Sequence, residues 1–502
     1  MFELIDFSVS VDTKQLTKSL SITLNKNDKL AIIGEEGNGK STLLKAILGL
    51  CDYAKVEGKI NLHGQTIGYL PQKLDEYILN KTVFEYLFET EENYYNKINN
   101  FYKYLDELLL SDDKISEPIK NLSGGEKVKF LILKLILEDH DILLLDEPTN
   151  DLDIKTLNWL ETFIKKSKKI IIYVSHDETL LSNTANIILH LELVKHKAEC
   201  KHTIERLSYD EYVYQRLSKI EKEKQEATRE QRDFQKQKQK LNQIMSKVEY
   251  QQNTISRSDP HGAKLLKKKM HQLKSQEKRL NNKAITCVPV LEEEINFFFD
   301  EIFIPNTKII LNLFIPKLQV KDKIISSNIN LFVKGNEHIA IVGENGIGKS
   351  TLLKSIYDHL KTRTDIKVGY MPQNYNEILN KYEYVLDFLL KDKSKEELTK
   401  AQIYLGNMNF TKEEMASKIS NLSNGTIAKL FFVKFALEQN NVLLLDEPTR
   451  NISPLSNPII RKALREFKGT IISVSHDRKY IKEVIDSIYL LEKEGLKKIN
   501  KI

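Results

Sequence analysis

The feature that most restricts the fold of this chain is an internal repeat of several motifs in the same order. GEEGNGKSTLLKAI begins at Gly34 and returns as GENGIGKSTLLKSI at Gly343, 309 residues later. The motifs GYLPQ, NLSGGE, LLLDEPT and VSHD follow in the first copy, and their counterparts lie 301 or 300 residues farther along. Such a repeat predicts two units of one fold, each of about 200 residues. In both copies short apolar runs alternate with helical patterns, which is typical of an α/β fold with a parallel sheet.

Composition excludes several other classes of protein. The 502 residues are 41% hydrophobic and 29% charged, which is the range of globular proteins with buried cores. Cys51, Cys200 and Cys287 lie far apart, so neither a disulfide framework nor a cysteine-based zinc module is expected. No run of 18 apolar residues occurs, and the acidic start does not resemble a signal peptide. The sequence therefore predicts a soluble cytoplasmic protein without a membrane partner.

The motif GxxxxGK[ST] occurs twice, each time between an apolar run and a helical pattern. Its glycines let backbone N–H groups surround phosphate oxygens, its lysine reaches the outer phosphates, and its hydroxyl ligates Mg²⁺. The pattern therefore predicts two sites for ATP with Mg²⁺. The predicted phosphate-binding residues are Gly34, Gly37, Gly39, Lys40, Ser41 and Thr42 in the first copy and Gly343, Gly346, Gly348, Lys349, Ser350 and Thr351 in the second.

The motif LLLDE is an apolar strand that ends in two acids, and it also occurs twice. We expect Asp146 and Asp446 to complete the Mg²⁺ shell beside Ser41 and Ser350. The following residues, Glu147 and Glu447, are placed to orient or deprotonate the attacking water. The later motif VSHD supplies His176 and His476, which we expect to contact the γ-phosphate.

A segment of different character separates the copies, rich in Lys, Gln and Glu and without proline between Pro148 and Pro260. Apolar residues recur in it at a strict interval of seven, which predicts two helices folded into an antiparallel coiled hairpin. These positions are Val213, Ile220, Ala227, Phe234, Leu241 and Val248 in the first series and Leu266, Leu273 and Leu280 in the second. The companion positions are mostly Lys and Gln, so we expect a thin apolar seam.

The hairpin also carries most of the positive charge. Residues 216–283 contain 19 Lys and Arg against 8 Asp and Glu, a net charge of +11. The whole chain has a net charge of +6, which leaves −5 for the remainder. A basic arm on a slightly acidic body indicates a partner rich in phosphate, and we interpret it as RNA.

Both copies resemble ATP-binding-cassette ATPase domains, with LSGGE at Leu122–Glu126 as the signature. Two cassettes joined by a long charged helical linker resemble the ABC-F family of translation factors. The resemblance implies cassettes at 1–205 and 286–502, a helical linker at 206–285, and a head-to-tail pair in which each phosphate loop faces the other copy's signature. It further implies that the nucleotide contacts Gln72, Ser123, Gly124, Gly125, Gln373, Ser423 and Gly425, with both glutamines also near the metal.

The family's partners are implied only by this resemblance. The linker would enter the ribosome near large-subunit rRNA and the P-site tRNA, with its tip at residues 249–262 towards the peptidyl-transferase centre. The nearly equal intervals from Gln72 to Leu122 and from Gln373 to Leu422 leave no room for the extra arm of many housekeeping members. This resembles the branch that protects bacterial ribosomes from antibiotics, and we expect a monomer whose cassettes pair within one chain. A housekeeping translation factor, a transporter's energy subunit and a DNA-repair ATPase remain alternatives.

The two copies are not equivalent. The second signature reads LSNGT, so Asn424 and Thr426 stand where the first copy has Gly124 and Glu126, and Ser453 stands where it has Asp153. We expect Asn424 to be tolerated because asparagine accepts a positive φ. In the head-to-tail arrangement these departures fall on the site that uses Lys40. We therefore predict slower turnover there than at the site that uses Lys349 with Ser123. No aromatic residue can be assigned to adenine, because Val11 occupies the expected position.

Overall fold

The computed structural model describes most of the chain, namely residues 1–12, 14–88, 98, 101–108, 110–150, 152–194, 199–254, 260–281, 295–299, 303–320, 323–390 and 394–500. By its internal contacts the chain divides into two units. One comprises Met1–Asp210 and Glu293–Ile502, and the other is Glu211–Glu292. The domain boundaries after residues 205 and 285 stay predictions, and the second of them lies outside the described residues.

Over its described residues, the first copy forms two sheets. Its strands are β1 (Phe2–Val11), β2 (Lys14–Leu24), β3 (Lys29–Ile33), β4 (Ala54–Asn61), β5 (Ile67–Leu70), β6 (Ile142–Asp146), β7 (Ile170–Val174), β8 (Ile187–Val194) and β9 (Glu199–Glu205). A three-stranded antiparallel sheet has the order β2-β1-β4, and a six-stranded sheet has the order β5-β6-β7-β3-β8-β9, in which only β9 is antiparallel. The helices are α1 (Lys40–Ile47), α2 (Glu76–Asn80), α3 (Val83–Leu87), α4 (Gly124–Leu137), α5 (Ile154–Lys166) and α6 (Glu178–Thr184), with 3₁₀ turns at Asp112–Ser116 and Ile119–Asn121.

The second copy repeats this plan. Its strands are β10 (Ile309–Val320), β11 (Lys323–Lys334), β12 (His338–Val342), β13 (Val368–Met371), β14 (Val442–Asp446), β15 (Thr470–Val474), β16 (Ser487–Glu492) and β17 (Gly495–Ile499). The main sheet has the order β13-β14-β15-β12-β16-β17, and β10 pairs with β11. Helices α7 (Tyr209–Thr254) and α8 (Pro260–Asn281) belong to the linker between the copies. The helices of the second copy are α9 (Lys349–Leu360), α10 (Asn376–Leu379), α11 (Val385–Leu389), α12 (Lys395–Asn407), α13 (Lys412–Ala416), α14 (Asn424–Leu437), α15 (Asn457–Arg465) and α16 (Arg478–Val484), with a 3₁₀ turn at Ile419–Asn421.

This architecture confirms the predicted α/β class with two similar units. In the six-stranded sheet of the first copy, strands β6, β7 and β3 are buried along their whole length. Strands β14, β15 and β12 are buried in the same way in the main sheet of the second copy. Continuous apolar strands of this kind are typical of parallel sheets covered on both faces. Because parallel strands end at one edge, the loops after β3 and β6 meet there, and so do those after β12 and β14.

The linker is helical, as the heptad pattern predicts. Helix α7 (Tyr209–Thr254) has 46 residues and α8 (Pro260–Asn281) has 22. At 1.5 Å per residue α7 is about 70 Å long. Leu241, Val248 and Leu273 form the buried centre of an apolar cluster between the two helices. Phe234 of the same seam is only half-buried. The seam is therefore thin, and the predicted tip segment lies partly outside the described residues.

Candidate active sites

Each phosphate loop joins a buried strand to the helix that follows it. Gly39 and Gly348 precede α1 and α9 with φ of 84° and 89°, in the left-handed region that favours glycine. The lysine that begins each helix folds back over its own loop. Lys40 Nζ donates to the carbonyl oxygens of Gly34 and Glu35 at 2.8 and 3.0 Å. Lys349 Nζ makes the equivalent bonds in the second copy, both at 2.9 Å. Both ammonium groups thus lie where they can contact phosphate oxygens.

The first acid of each LLLDE motif lies beside the phosphate loop. Ser41 Oγ donates to Asp146 Oδ1 at 2.9 Å. Among the described residues, Asp446 Oδ1 has no hydrogen-bond partner although it is buried. Burial raises the pKa of Asp146 and that of Asp446 to about 6. A hydroxyl and a desolvated carboxylate are the hard oxygen donors that Mg²⁺ prefers, so the residues fit the predicted metal.

The second acid of each motif has an unusual backbone. Glu147 and Glu447 adopt φ of 50° and 52°, a left-handed conformation that is uncommon for non-glycine residues and is the same in both copies. His176 Nε2 lies 3.2 Å from Glu147 Oε1, whereas His476 Nε2 lies 3.9 Å from Glu447 Oε1. The histidine and the candidate base therefore lie side by side in both copies, more closely in the first.

The two glutamates also differ in electrostatics. Burial alone would raise the pKa of Glu147, but the charges of His176 and Lys40 and a hydrogen bond from His176 outweigh burial and lower it to about 2. Burial, helped by the charge of Asp446, raises the pKa of Glu447 to about 7. Burial also lowers the pKa of His476 to about 3. The two candidate bases therefore lie in different electrostatic surroundings, one beside a histidine and a lysine and the other beside a second carboxylate.

The two signatures begin helices α4 and α14. Ser123 Oγ accepts a hydrogen bond from the backbone N–H of Glu126, whose side chain accepts one from the N–H of Ser123. Ser423 Oγ likewise accepts a hydrogen bond from the backbone N–H of Thr426, but Thr426 Oγ1 bonds to the Ser423 hydroxyl and not to its backbone N–H. Asn424 is the first helical residue and does not adopt a positive φ. The expected reason for tolerating asparagine is therefore wrong, because any residue can occupy this helical position. The next residue must be small, since a Cβ on Gly425 would lie 2.5 Å from the carbonyl oxygen of Asn451.

The second phosphate loop and the first signature line one cavity of about 620 Å³. Most of the predicted site residues of this pair are therefore brought together. They are Ser123, Gly124, Gly346, Gly348, Lys349, Ser350, Thr351, Gln373, Asp446, Glu447 and His476. Ile325 forms part of the apolar wall and has no motif that would have revealed it.

Two acids of the first phosphate loop contact the second copy, and one of them, Glu36, contacts its signature. Glu36 accepts a hydrogen bond from the backbone N–H of Gly425. Glu35 accepts hydrogen bonds from the hydroxyls of Ser453 and Ser456, both at 2.5 Å. It also forms an ion pair with Lys429, whose Nζ lies 2.7 Å from Glu35 Oε2. Across the same boundary, His176 Nδ1 lies 3.1 Å from the carbonyl oxygen of Ile452. Each phosphate loop thus faces the signature of the other copy.

The two sites are packed differently. Glu344 occupies the position of Glu35 in the second loop, but its side chain is 73% exposed and reaches Lys155 only at 3.4 Å. Asp153, the counterpart of Ser453, is turned to its own helix and accepts from the N–H of Thr156 at 2.8 Å. The contact with Glu35 therefore explains why the second copy has serine at 453 where the first copy has aspartate, which the sequence did not reveal. A carboxylate there would face Glu35.

Other predicted residues are less informative. Gln72 follows β5 and is exposed, as is Gln373 after β13. Gly125 is buried in the first turn of α4. Val11 packs at the edge of the apolar core of the first copy. The role of each predicted site residue stays a prediction.

The contact of Glu36 predicts a measurable effect on ATP binding. Asn345 stands at the equivalent position of the second loop. We expect Glu36→Asn to tighten ATP binding at the first site about threefold to tenfold, because it removes a negative charge from a helix N-terminus that attracts anions. Titration of a fluorescent ATP analogue into a chain that also carries Lys349→Ala would measure this site. The reverse change, Asn345→Glu with Lys40→Ala, should weaken the second site, and unchanged affinities in both would contradict the expectation.

Comparisons with known proteins agree with this geometry. A sequence model of the family described as ABC transporter matches residues 17–150 and 326–450. The ATP-binding protein Uup of Buchnera aphidicola subsp. Acyrthosiphon pisum (strain APS) is 31% identical over 97% of this chain and 80% of its own length. The ribosome protection protein VmlR of Bacillus subtilis (strain 168) is 27% identical over 99% of this chain and 87% of its own length. Several other relatives are named as members of ABC subfamily F.

The fold is also that of a solved structure. The archaeal ribosome recycling factor aABCE1, solved with the ribosomal stalk protein aP1, superposes with a TM-score of 0.57 at 19% identity and covers 95% of this chain and 86% of its own. At this identity the likeness shows the fold alone. Within the ranges that the structure describes, no helix combines the length and apolar character needed to cross a membrane.

Proposed function

Because the chain belongs to the ABC-F family of tandem ATP-binding-cassette ATPases, we propose that it binds the ribosome and that its helical hairpin contacts RNA there. ATP held between the cassettes would stabilise the bound form, and hydrolysis would release it. The observation that carries this proposal is the charge of α8. Within its 22 residues it has seven basic side chains and one acid, Glu277.

The positive charge of the hairpin is concentrated on this helix and is accessible. Lys267, Lys268 and Lys269 are consecutive and exposed, and Lys264 and Lys274 are exposed as well. The longer helix α7 has nearly balanced charge, with ten basic and eight acidic residues among 46. A solvated coiled coil has no need to place its charge in one helix. A cluster of this kind supports binding to a phosphate backbone.

We assign the chemistry of ATP hydrolysis to the residues of the two sites. Lys40 and Lys349 would hold the outer phosphates, and the signature serines would contact the γ-phosphate from the opposite copy. Bound Mg²⁺, held by the serine and aspartate of each site, would neutralise the phosphate charge. Glu147 and Glu447 would then accept a proton from the attacking water.

Cosedimentation with ribosomes tests the proposal. A chain with Glu147→Gln and Glu447→Gln, which should retain ATP, is expected to sediment with ribosomes at low salt in the presence of ATP. Adding Lys267→Gln, Lys268→Gln and Lys269→Gln should weaken binding and reduce the slope of log affinity against log salt by about 0.7 to 0.9 for each phosphate that these lysines neutralise. Removing the three exposed charges Lys165, Lys166 and Lys168 from the first cassette is the matched control and should change little.

The outcome separates the remaining interpretations. Absence of binding at low salt with ATP would contradict a ribosomal function and favour the transporter or DNA-repair alternatives. Equal losses of affinity in the α8 variant and the cassette control would show that net charge matters and not the hairpin.

Within ribosomal functions we propose protection from antibiotics bound near the peptidyl-transferase centre, with the hairpin entering near the P-site tRNA and large-subunit rRNA. The named function of VmlR and its alignment with 99% of this chain support this. We expect bacteria that express the chain to tolerate higher concentrations of at least one class among lincosamides, streptogramin A compounds, pleuromutilins, phenicols and macrolides. Cells that express the Glu147→Gln, Glu447→Gln variant are the control. Unchanged inhibitory concentrations across the panel would favour a housekeeping translation factor.

A further inference from the structure

Pairs of oppositely charged side chains join the two cassettes beside the ATP sites. Arg461, on α15 of the second copy, forms hydrogen-bonded ion pairs with both carboxylate oxygens of Glu178, the first residue of α6 in the first copy. Arg478, the first residue of α16, donates to Glu161 of α5 at 2.8 Å. Arg461 and Glu178 are nearly buried, with side chains 3% and 5% exposed, and Arg478 and Glu161 are 19% and 17% exposed.

These two contacts are one contact made twice with the charges exchanged. The motifs of this region, LLLDEPT and VSHD, recur at an offset of 300 residues. At the same offset Glu161 corresponds to Arg461 and Glu178 to Arg478. The first copy therefore has an acid at both positions, and the second copy has arginine at both. Each position contacts the other position of the opposite cassette.

The neighbouring residues follow the same relation. Asn183 donates to Glu161 within the first copy, and Glu483, its counterpart, accepts from Arg461 within the second. The residue at 483 in the second copy therefore carries the charge opposite to that of its neighbour Arg461. Lys479 Nζ of the second copy lies 3.3 Å from Glu178 Oε2 of the first. The counterpart of Lys479 in the first copy is Thr179.

The consequence concerns which cassettes can pair. Two first copies brought together in this geometry would place Glu161 against Glu178 twice, and two second copies would place arginine against arginine twice. Like charges facing each other in a nearly buried contact repel strongly, whereas opposite charges fix the partner and its orientation. Such a contact rejects wrong partners by repulsion as well as selecting the right one.

We infer that Glu161, Glu178, Arg461 and Arg478 specify the partner of each cassette, so that a first cassette closes only on a second one. Closure on a like cassette of another chain is excluded by repulsion. This goes beyond the proposed ribosomal function and does not depend on it, because the contact concerns the two cassettes alone. The surface therefore fits one partner, a cassette of the opposite kind, which the same chain supplies at high effective concentration.

Charge exchange in the full chain tests this inference. All variants carry Lys479→Thr and Glu483→Asn, which give the second copy the neighbours that the first has at 179 and 183. One variant adds Glu161→Arg and Glu178→Arg, a second adds Arg461→Glu and Arg478→Glu, and a third adds all four. We expect each double exchange to lower the rate of ATP hydrolysis without ribosomes at least about tenfold. The fourfold exchange should restore the rate of ATP hydrolysis to within about threefold of that of the chain that carries only Lys479→Thr and Glu483→Asn.

Mixing the two double-exchange chains gives a second readout that also shows whether they are folded. One chain then has only arginine at the four positions and the other only glutamate, so cassettes can pair between chains. We expect the mixture to recover activity and, with ATP on the Glu147→Gln, Glu447→Gln background, to form a species of twice the mass in light scattering. A fourfold exchange no more active than the double exchanges, with a mixture that also stays inactive, would overturn the inference.

Discussion

We expect Glu447→Gln to reduce ATP hydrolysis by the full chain at least about 100-fold, and Glu147→Gln to reduce it far less. An amide cannot accept the proton of the attacking water, so each variant retains only the other site. Glu147→Gln leaves the site of Lys349 and Ser123, and Glu447→Gln leaves the site of Lys40 and Ser423. The sequence predicts that the second of these is slow, because its signature reads LSNGT.

The structure gives this difference a physical basis. At the site of Lys40, the carboxylate of Glu36 bonds to the N–H of Gly425, which lies at the signature. At the site of Lys349, the corresponding residue is Asn345, and a cavity of about 620 Å³ separates loop and signature. Nucleotide must therefore displace an acid at one site and only fill a cavity at the other.

Steady-state hydrolysis by the two variants, at saturating ATP without ribosomes, measures the residual rates. A control titration must show that both variants still bind ATP, because a loss of binding would lower the rate for another reason. Equal residual rates would contradict the asymmetry, even if both variants were slow.

The second large effect is expected from Ser453→Asp. The substitution gives the second copy the residue that the first has at 153 and keeps a side-chain oxygen able to accept a hydrogen bond from the backbone N–H of Ser456. It also places a carboxylate within hydrogen-bond distance of Glu35, whose pKa is held well below its ordinary value despite burial, chiefly by Lys429. Two ionised carboxylates at this contact should weaken the docking of the cassettes by about 2 to 4 kcal/mol.

The unfolding temperature of the full chain and its ATP hydrolysis rate measure this effect, and both should fall. Adding Glu35→Gln should restore most of the stability and activity, because it removes the repulsion. The matched control is Asp153→Ser, which should change little, since serine can also cap α5 and Glu344 is exposed. A Ser453→Asp chain as stable and active as its parent would show that Glu35 does not select the serine.

Much of the fold and of the candidate sites could be predicted from local patterns. The phosphate loops, the strands ending in Asp146 and Asp446, and the helices after them each depend on residues close together in the chain. Their chemistry needs fixed residue types at fixed spacing, so the spacing itself is the signal. The hairpin was predictable for the same reason, because a period of seven determines which face of a helix is apolar.

Features that depend on two distant segments could not be predicted in this way. The sequence identified Ser453 as a departure but not its contact with Glu35, which lies 418 residues away. It also suggested a wrong reason for Asn424, because the position of a helix start decides whether a residue needs a positive φ.

The sequence alone determined that this protein has two ATP-binding cassettes and a basic helical arm, because those properties follow from short-range spacing and from summed charge. Only the tertiary structure decided which acids lie between the cassettes and how the charges of Glu178 and Arg461 pair. The physical reason is that a contact across an interface imposes complementarity on residues hundreds of positions apart. No local pattern records that relation.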